Sequence, residues 1–282
     1  MSLAQLLLLA LVQGVTEWLP ISSSAHLILL PGVLGQKDQG PLIDAMAHLG
    51  TLFAMLAYFR RDVLSALRGS LALVGLTGAA AGGRQGPDAR LALLILAATP
   101  PGVLAGLALT AAPETVMAGL RSPETIALAT IVFGLALWIA DVRGSVSRTQ
   151  PDMRLSDAVA IGLAQMIAFI PGTSRSGITM TAARALGFNR PDSARFAMLI
   201  GAPLLAAVGA RAFLGLAAGE APGASLTDGL LVAALSFASG YASIWALMAL
   251  LQRMSFLPFV IYRLALGTIL LVTSPTVLAL FT

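Results

Sequence analysis

The 282-residue chain is 57% hydrophobic and only 11% charged, with a mean hydropathy of +0.88. This balance excludes an ordinary water-soluble globular protein and indicates a chain that lies mostly in lipid. The net charge of +4 does not indicate a nucleic-acid partner, because the basic residues form no aromatic-interleaved patch, and the absence of cysteine excludes disulfides and thiolate metal sites.

The first element in chain order is an interrupted apolar segment, 3–32. Its start, 3–12, has no basic residue before it and runs directly into Gln13-Gly-Val-Thr-Glu17, so we interpret it as mature protein rather than a signal peptide. Pro20 and the following Ser22-Ser23-Ser24 break the segment in its middle. Irregular polar backbone at membrane depth is tolerated only against protein or a water-filled cavity. The pattern therefore favours a re-entrant helix hairpin over 3–32 rather than one long crossing helix.

Six later segments are long and apolar enough to cross a bilayer, because a spanning helix needs about 20 mostly apolar residues. The predicted spans are 43–59, 90–111, 123–140, 193–215, 226–250 and 257–280. The glycine-rich stretch 66–89 is interpreted as a flexible connection or a short interfacial helix. A second interruption, at Pro171-Gly172, predicts another re-entrant hairpin over 156–187.

If successive spans cross the membrane in opposite directions, most basic residues fall on one side of it. Lys37 and Arg121 fall on the other side. The richer side receives Arg60, Arg61, Arg68, Arg84, Arg90, Arg143, Arg148, Arg154, Arg190 and Arg253. The positive-inside rule makes that side cytoplasmic. Both termini and the loops 33–42, 112–122 and 217–225 are then expected outside the cytoplasm.

The two halves of the chain resemble one another at a shift of 151 residues. The pairs are Pro20 with Pro171, Ser23 with Ser174, Gly50 with Gly201 and Arg60 with Arg211. Each half has one interrupted segment, which enters and leaves on the same side, and then three spans. Because three crossings end on the other side of the membrane, the second copy starts from the opposite face. We expect an all-α polytopic membrane protein with a single membrane domain, in which inverted repeats 1–142 and 153–282 bring the two hairpin tips together near the midplane.

The first tip carries the groups of a reactive site. Gln13 and Glu17 are four residues apart and share a helix face. Glu17 is a carboxylate far from any span end, where a charge is costly unless paired, so a functional role is the default; the alternative is a structural or protonated glutamate. Ser22, Ser23 and Ser24 exceed the needs of one helix cap. His26 lies three residues after Ser23, which predicts an imidazole near that hydroxyl, as in an activated nucleophile, unless the histidine is structural.

The second tip has the pattern of an anion-binding turn. After Pro171-Gly172, Thr173 or Ser174 can cap a new helix whose free N–H groups face the site. Arg175 adds a planar cation suited to phosphate oxygens. Alternatively Arg175 only pairs with Glu17 across the repeat interface, and both readings hold if that pair forms without substrate. Further hydroxyls for substrate binding come from Ser174, Ser176 and Thr179.

Together the tips predict hydrolytic phosphoryl transfer at membrane depth. A diphosphate substrate calls for a divalent cation, and Glu17 is a hard oxygen ligand for Mg²⁺ or Ca²⁺. Two histidines and no cysteine argue against a dedicated zinc site.

At these residues the chain resembles the undecaprenyl-diphosphate phosphatase family of the bacitracin-resistance type. The resemblance rests on Gln13-Gly-Val-Thr-Glu-Trp-Leu-Pro-Ile-Ser-Ser-Ser-Ala-His26, on Pro171-Gly-Thr-Ser-Arg-Ser-Gly177 and on Pro258-Phe-Val-Ile-Tyr-Arg263. It implies hydrolysis of undecaprenyl diphosphate to the monophosphate carrier lipid and inorganic phosphate, in a site open to the periplasm. This activity recycles the carrier for cell-wall synthesis.

The resemblance also implies roles for matching positions. Gln13 and Glu17 fall at the family's acidic/amide pair, Ser23 and His26 at its nucleophile candidates, and Arg175 at its phosphate-binding arginine. Glutamine at position 13 leaves Glu17 as the sole carboxylate, which weakens a two-carboxylate metal site. Ala25 stands where the family often has glycine.

The expected mechanism has Ser23 attacking the terminal phosphorus and His26 accepting its proton, with His26 as direct nucleophile the nearest variant. Arg175 and the 173–176 backbone hold the transferring group, and Glu17 organises the metal. The expected partners are a prenyl diphosphate and membrane lipids, with a homodimer left open. A rival function is transport of a prenyl phosphate lipid, because inverted repeats with midplane tips also build transporters. A purely structural scaffold would not account for Glu17 and Arg175 at bilayer depth.

Overall fold

The computed structural model describes residues 2–33, 35, 39–76, 86–221 and 224–274. Within those ranges the regular elements are twelve α-helices and two short 3-10 helices, Gln150–Asp152 and Met166–Phe169, with no strand beyond one isolated bridge. The α-helices are α1 (Leu3–Trp18), α2 (Ser23–Val33), α3 (Pro41–Tyr58), α4 (Arg60–Leu73), α5 (Pro87–Thr110), α6 (Glu114–Leu120), α7 (Pro123–Arg143), α8 (Leu155–Gln165), α9 (Arg175–Ala185), α10 (Arg190–Ala217), α11 (Leu226–Leu251) and α12 (Leu257–Thr273). The all-α expectation is confirmed.

Five helices, α3, α5, α7, α10 and α11, are long and apolar enough to cross a membrane. They match five of the six predicted spans, so the chain has the character of a multi-pass membrane protein. The sixth predicted span corresponds to α12, whose 17 residues are a shorter apolar helix. Predicted features at Lys37, at Arg84, at Gly78, Gly82 and Gly83, and beyond residue 274 lie outside the described residues.

The described parts of the stretch 66–89 belong to helix ends, while residues 77–85 lie outside the described residues. Residues 66–73 continue α4, and Gly69 is buried against the start of α5, where an added Cβ would lie 1.9 Å from the Asp88 carbonyl oxygen. Glycine here allows two helix backbones to approach closely.

The two tips have the same local backbone. Ser22 and Ser174 are the two non-glycine residues with positive φ among those described, at 74° and 70°. Each precedes a helix, and each side-chain oxygen accepts the N–H three residues on, from Ala25 at 3.4 Å and from Gly177 at 3.1 Å. Equivalent positions are thus 152 residues apart. The predicted shift of 151, which paired Ser23 with Ser174, is wrong at the tips because the second turn has one more residue after its proline.

The first polar turn, 19–22, is buried inside the bundle. Trp18, at the end of α1, is fully buried and its Nε1–H donates to the Thr51 carbonyl of α3 at 3.1 Å. α3 packs against α1, α10 and α11, and Gly50 allows the α3 backbone to approach Ala233 of α11, where a Cβ would lie 2.1 Å from the carbonyl oxygen. This packing surrounds the polar turn with helices, as irregular backbone at membrane depth requires.

A network around Asp141 joins helix ends at one face of the bundle. The carboxylate of Asp141, near the end of α7, accepts from Arg184 at 2.9 Å, from Arg190 at 2.7 Å and from the Phe256 N–H at 3.1 Å. The network thereby ties the ends of α7 and α9 to the starts of α10 and α12. These are the helix ends that the arginine distribution places on one side.

Candidate active site

Glu17 lies on the last turn of α1, is 6% exposed, and is the centre of a polar cluster. Its Oε1 accepts from Arg175 at 2.6 Å. Its Oε2 accepts from Gln13 Nε2 at 2.9 Å and from the Ser23 hydroxyl at 2.7 Å, and faces His48 Nε2 at 3.4 Å. Three donors and a histidine therefore surround one carboxylate, which satisfies the partner requirement of a buried charge.

The Arg175–Glu17 ion pair joins the two tips, as one of the two sequence interpretations expected. Arg175 forms this pair with one terminal nitrogen, Nη2, and its Cζ lies 5.2 Å from the centre of the Trp18 ring. Its other terminal nitrogen, Nη1, is buried and has no hydrogen-bond partner among the described residues. The guanidinium thus retains donor capacity for an anion.

Ser23 and His26 do not pair. The Ser23 hydroxyl donates to Glu17, whereas His26 Nδ1 lies 2.7 Å from the Ser22 carbonyl and Nε2 lies 2.6 Å from the Tyr262 hydroxyl. Because a carbonyl only accepts, Nδ1 carries the hydrogen and the neutral ring's Nε2 accepts from Tyr262. The expected Ser23–His26 contact is therefore wrong: the imidazole turns back onto its own helix start, and the serine proton points at a carboxylate.

His48 on α3 is a site residue that sequence reasoning missed. Its Nδ1 lies 2.7 Å from the Asp44 carbonyl, which aims Nε2 at Glu17. A signal was present: His48 is one of only two histidines, and it falls inside a predicted span. Ionisable residues at membrane depth are rare and usually functional.

The hydroxyls of the second tip are mostly engaged with backbone. Ser176 donates to the Leu19 carbonyl at 3.0 Å and Thr179 to the Arg175 carbonyl at 2.8 Å. Ser174 caps α9, and Thr173 Oγ1 is buried without a hydrogen-bond partner among the described residues. These residues hold the turn in shape, and of the four only Ser174 lines the cavity.

A cavity of about 190 Å³ opens beside Glu17. The polar residues that line it are Glu17, Ser23, Ser24, His48, Gln165, Ser174 and Arg175. The apolar residues that line it are Ala168, Phe169, Leu204, Leu205 and Val208. The N-terminal ends of α2 and α9 both reach this cavity, and helix N-termini favour anions. The arrangement suits a ligand with an anionic head and an apolar tail. Gln13 and His26 do not line the cavity, and Gln13 acts on the site through its hydrogen bond to Glu17.

Arg263 on α12 is fully buried and hydrogen-bonds to both tips. It donates to the Pro20 carbonyl at 3.1 Å and to the Gly172 carbonyl at 3.0 Å, which are equivalent positions of the two turns. It also donates to the Thr130 carbonyl of α7 at 3.1 Å. No carboxylate in the described part of the chain pairs with it. Sequence reasoning quoted this residue within a motif and gave it no role.

Replacing Arg263 with methionine should destabilise the fold, because buried carbonyls that lose their donor cost about 1–3 kcal/mol each. We expect the Tm in detergent to fall by roughly 10 °C, from ~2–4 °C per kcal/mol in a chain of this size. Arg211→Met is the matched control: that side chain is 64% exposed in a surface pair with Glu220, so its loss should shift the Tm by only about 2 °C. An unchanged Tm in Arg263→Met would contradict the connecting role.

The side chains at this site supply only some of the ligands that a divalent cation needs. No group of three or more His, Cys, Asp or Glu residues that could hold a metal occurs among the residues described. Glu17 is the one carboxylate at the site, and Gln13 Oε1 is a buried oxygen without a hydrogen-bond partner there. Mg²⁺ is often held by one or two carboxylates together with substrate phosphates, so the Glu17 carboxylate fits a cation that substrate helps to bind.

Comparison with known proteins identifies the family to which this chain belongs. The family model "Bacitracin resistance protein BacA" matches residues 6–269. The chain is similar to the undecaprenyl-diphosphatase of Hyphomonas neptunium, with 57% identity covering 98% of each chain. It is also 54% identical to the undecaprenyl-diphosphatase of Maricaulis maris, over 96% of this chain and 99% of the relative, and 48% identical to that of a Jannaschia species over 96% and 98%. The chain therefore belongs to the bacitracin resistance protein BacA family.

Proposed function

We propose that this chain is a membrane phosphatase that hydrolyses undecaprenyl diphosphate to undecaprenyl phosphate and inorganic phosphate, and so recycles the carrier lipid for cell-wall synthesis. The observation that carries the proposal is the 2.7 Å hydrogen bond from Ser23 to Glu17, set beside Arg175 in one cavity. A hydroxyl bonded to a carboxylate next to a phosphate-binding cation is the constellation of a phosphoryl-transfer site. The relatives named undecaprenyl-diphosphatase support this substrate.

In the first half-reaction the Ser23 oxygen attacks the terminal phosphorus, and the bond from phosphorus to the bridging oxygen breaks. Undecaprenyl phosphate leaves as a stable anion and needs no proton. In the second half-reaction water attacks the phosphoserine, the bond from phosphorus to the Ser23 oxygen breaks, one water proton restores the Ser23 hydroxyl, and HPO₄²⁻ is released. Glu17 takes the Ser23 proton, in place of His26, because only the carboxylate lies within hydrogen-bond distance of that hydroxyl. His26 holds the first tip through Ser22 and Tyr262. Serine is therefore favoured over histidine as the nucleophile.

The anionic head is held by Arg175 and by the starts of α2 and α9. The unpartnered Nη1 donates to the first phosphate oxygen, and Nη2, which donates to Glu17 without substrate, moves to a second. Ser174 lines this end of the cavity, while Gln13, Ser176 and Thr179 keep the carboxylate and the turns in position. Glu17 would hold Mg²⁺ or Ca²⁺ together with substrate oxygens, and the cation would neutralise charge on the diphosphate.

The same proposal includes an inverted repeat with two re-entrant hairpins in the inner membrane. Its support is the shared geometry of the two turns and the length of α1, α2, α8 and α9, each 16 residues or fewer. The cavity is lined by Leu204 and Val208, on the part of α10 that runs away from the Asp141 network. With the arginine-rich face in the cytoplasm, this end of the cavity lies toward the periplasm.

The test is phosphate release by purified protein from undecaprenyl diphosphate with Mg²⁺. Proteoliposomes separate the rival: a lipid transporter would move undecaprenyl phosphate across the bilayer and release no phosphate. Release that is lost in Ser23→Ala supports the phosphatase, since a contaminating enzyme would survive the substitution. Wild-type protein that binds the lipid but releases no phosphate would refute it.

Replacing Gly201 with alanine should disturb Arg175 directly, because the added Cβ would lie 1.9 Å from Nη1. The guanidinium must move, and misplacement by about 1 Å can cost on the order of 10²-fold in rate. We expect kcat/KM for the diphosphate to fall by roughly 10–100-fold with the Tm nearly unchanged. Gly119→Ala on α6 is the matched control, because nothing lies within 4 Å of its added Cβ. Equal kinetics for the two variants would count against the placement of Arg175.

A further inference from the structure

Gln165, at the end of α8, is a buried polar side chain to which the mechanism above gives no role. The residue is 1% exposed and lines the cavity together with Arg175. Its Oε1 is buried and has no hydrogen-bond partner among the described residues. A buried amide oxygen without a partner is unfavourable, so a ligand group that pairs with the amide gains affinity.

The equivalent residue of the first half shows why Gln165 lacks a partner in the protein. The two turns are equivalent at a shift of 152 residues, which pairs Gln165 with Gln13. Gln13 donates to Glu17, four residues later, at 2.9 Å. The residue four positions after Gln165 is Phe169, whose ring replaces the carboxylate. The amide of the second glutamine is therefore left for a ligand.

Two glycines of α5 allow Gln165 and Phe169 to pack closely on that helix. A Cβ added to Gly102 would lie 2.5 Å from Gln165 Nε2, and one added to Gly106 would lie 3.0 Å from the Phe169 ring. Both side chains line the cavity. The position of Gln165 along the cavity is thus that of Gly102 along α5.

The register of α5 against α10 then relates Gln165 to the Arg175 guanidinium. Residues four apart on α5 share pockets with residues four apart on α10, namely Leu91 with Arg195 and Ile95 with Leu199. The two helices therefore run in the same direction, and equal steps put Gly102 level with Ala206. At ~1.5 Å rise per residue, this level is about 7 Å beyond Gly201, against which Arg175 Nη1 packs. Gln165 accordingly lies between the guanidinium and the apolar end of the cavity.

We propose that Gln165 binds the phosphate that stays on the lipid, while Arg175 binds the phosphate that is transferred. The inference rests on the proposed phosphatase function. A diphosphate that has its terminal phosphate at Arg175 and its tail at the apolar end has its second phosphate between them. There the Nε2 of Gln165 donates to a charged phosphate oxygen, and a half-turn of the amide lets either end meet the ligand. The contact favours a diphosphate over a monoester.

The test replaces Gln165 with methionine, which has a similar length and no amide. The measurements in detergent are kcat/KM for undecaprenyl diphosphate and the dissociation constants of undecaprenyl phosphate and inorganic phosphate. We expect kcat/KM to fall by roughly 10–100-fold, the scale of one hydrogen bond to a charged group. The dissociation constant of undecaprenyl phosphate should rise by a similar factor. That of inorganic phosphate, which binds at Arg175, should not change.

Thermal stability separates this contact from a structural role. Because Oε1 has no protein partner to lose, Gln165→Met should keep the wild-type Tm, whereas loss of a structural amide would lower it. Gln252→Met is the matched control, since that glutamine is exposed at the end of α11 and its loss should change none of these values. Gly102→Ala keeps the amide but displaces Nε2, and should weaken undecaprenyl phosphate binding even if Gln165→Met elutes as aggregate.

Three results would overturn the inference. They are an unchanged dissociation constant for undecaprenyl phosphate, a raised one for inorganic phosphate, and a lower Tm in Gln165→Met. Wild-type protein that binds undecaprenyl phosphate but releases no phosphate from the diphosphate would refute the phosphatase function instead. The two dissociation constants need no turnover, so they decide the role of Gln165 in either case.

Discussion

Replacing Ser23 with alanine should lower kcat for phosphate release by roughly 10⁴-fold or more, because the attacking oxygen is removed. Glu17→Gln should lower it by about 10²–10⁴-fold, since the serine proton loses its acceptor. The two side chains are 2.7 Å apart and act on one step, so their effects should not add. We expect the double variant to be no slower than Ser23→Ala alone.

The measurement is steady-state phosphate release at saturating lipid, with binding of substrate checked separately. Ser24→Ala is the comparison, because that hydroxyl also lines the cavity but bonds to Ser22 rather than to the carboxylate. Its loss should cost less than about tenfold, the scale of a neutral hydrogen bond. Fully additive losses in the double variant, or turnover by Ser23→Ala, would show that another group attacks the phosphorus.

Replacing Arg175 with alanine should damage both turnover and stability. An arginine that stabilises transferring phosphate is worth about 10³–10⁵ in kcat. The same change leaves Glu17, whose side chain alone is 4% exposed, without its 2.6 Å counterion, and breaking a buried pair on one side costs about 3–5 kcal/mol. We therefore expect a large loss of phosphate release together with a clear fall in Tm.

A second substitution separates these two effects. Adding Glu17→Gln to Arg175→Ala removes the uncompensated charge, so the Tm should recover while activity stays absent. Arg175→Lys should retain most of the stability but lose roughly 10²-fold in kcat, because an ammonium cannot bridge two phosphate oxygens as a guanidinium does. Normal turnover by Arg175→Ala would dismiss the phosphate contact, and a Tm that Glu17→Gln fails to restore would dismiss the pairing argument.

The sequence predicted those features that lipid imposes on composition. Five spans could be read directly because a crossing needs a long apolar run, and Glu17 and Arg175 could be singled out because a charge at that depth requires a partner. Their pairing was one of two stated alternatives. These predictions depend on solvent and on residue chemistry and need no knowledge of which helices are neighbours.

Features set by packing between distant segments could not be predicted in this way. Helical spacing suggested that His26 would reach Ser23, but the positive φ of Ser22 places the helix start so that His26 bonds to Ser22 and to Tyr262, 236 residues away. His48 and Arg263 belong to the site only because α3 and α12 lie against the tips. No local pattern carries that information.

The ion pair between Glu17 and Arg175 has a consequence for product release. In the proposed mechanism, the carboxylate competes with newly formed phosphate for the same guanidinium, and it is covalently attached and always within reach. A tethered competitor at high effective concentration displaces a small dianion readily but yields to a larger diphosphate whose tail adds apolar contacts. Glu17 therefore promotes the release of phosphate from Arg175. We expect inorganic phosphate to be a weak inhibitor even where it is abundant.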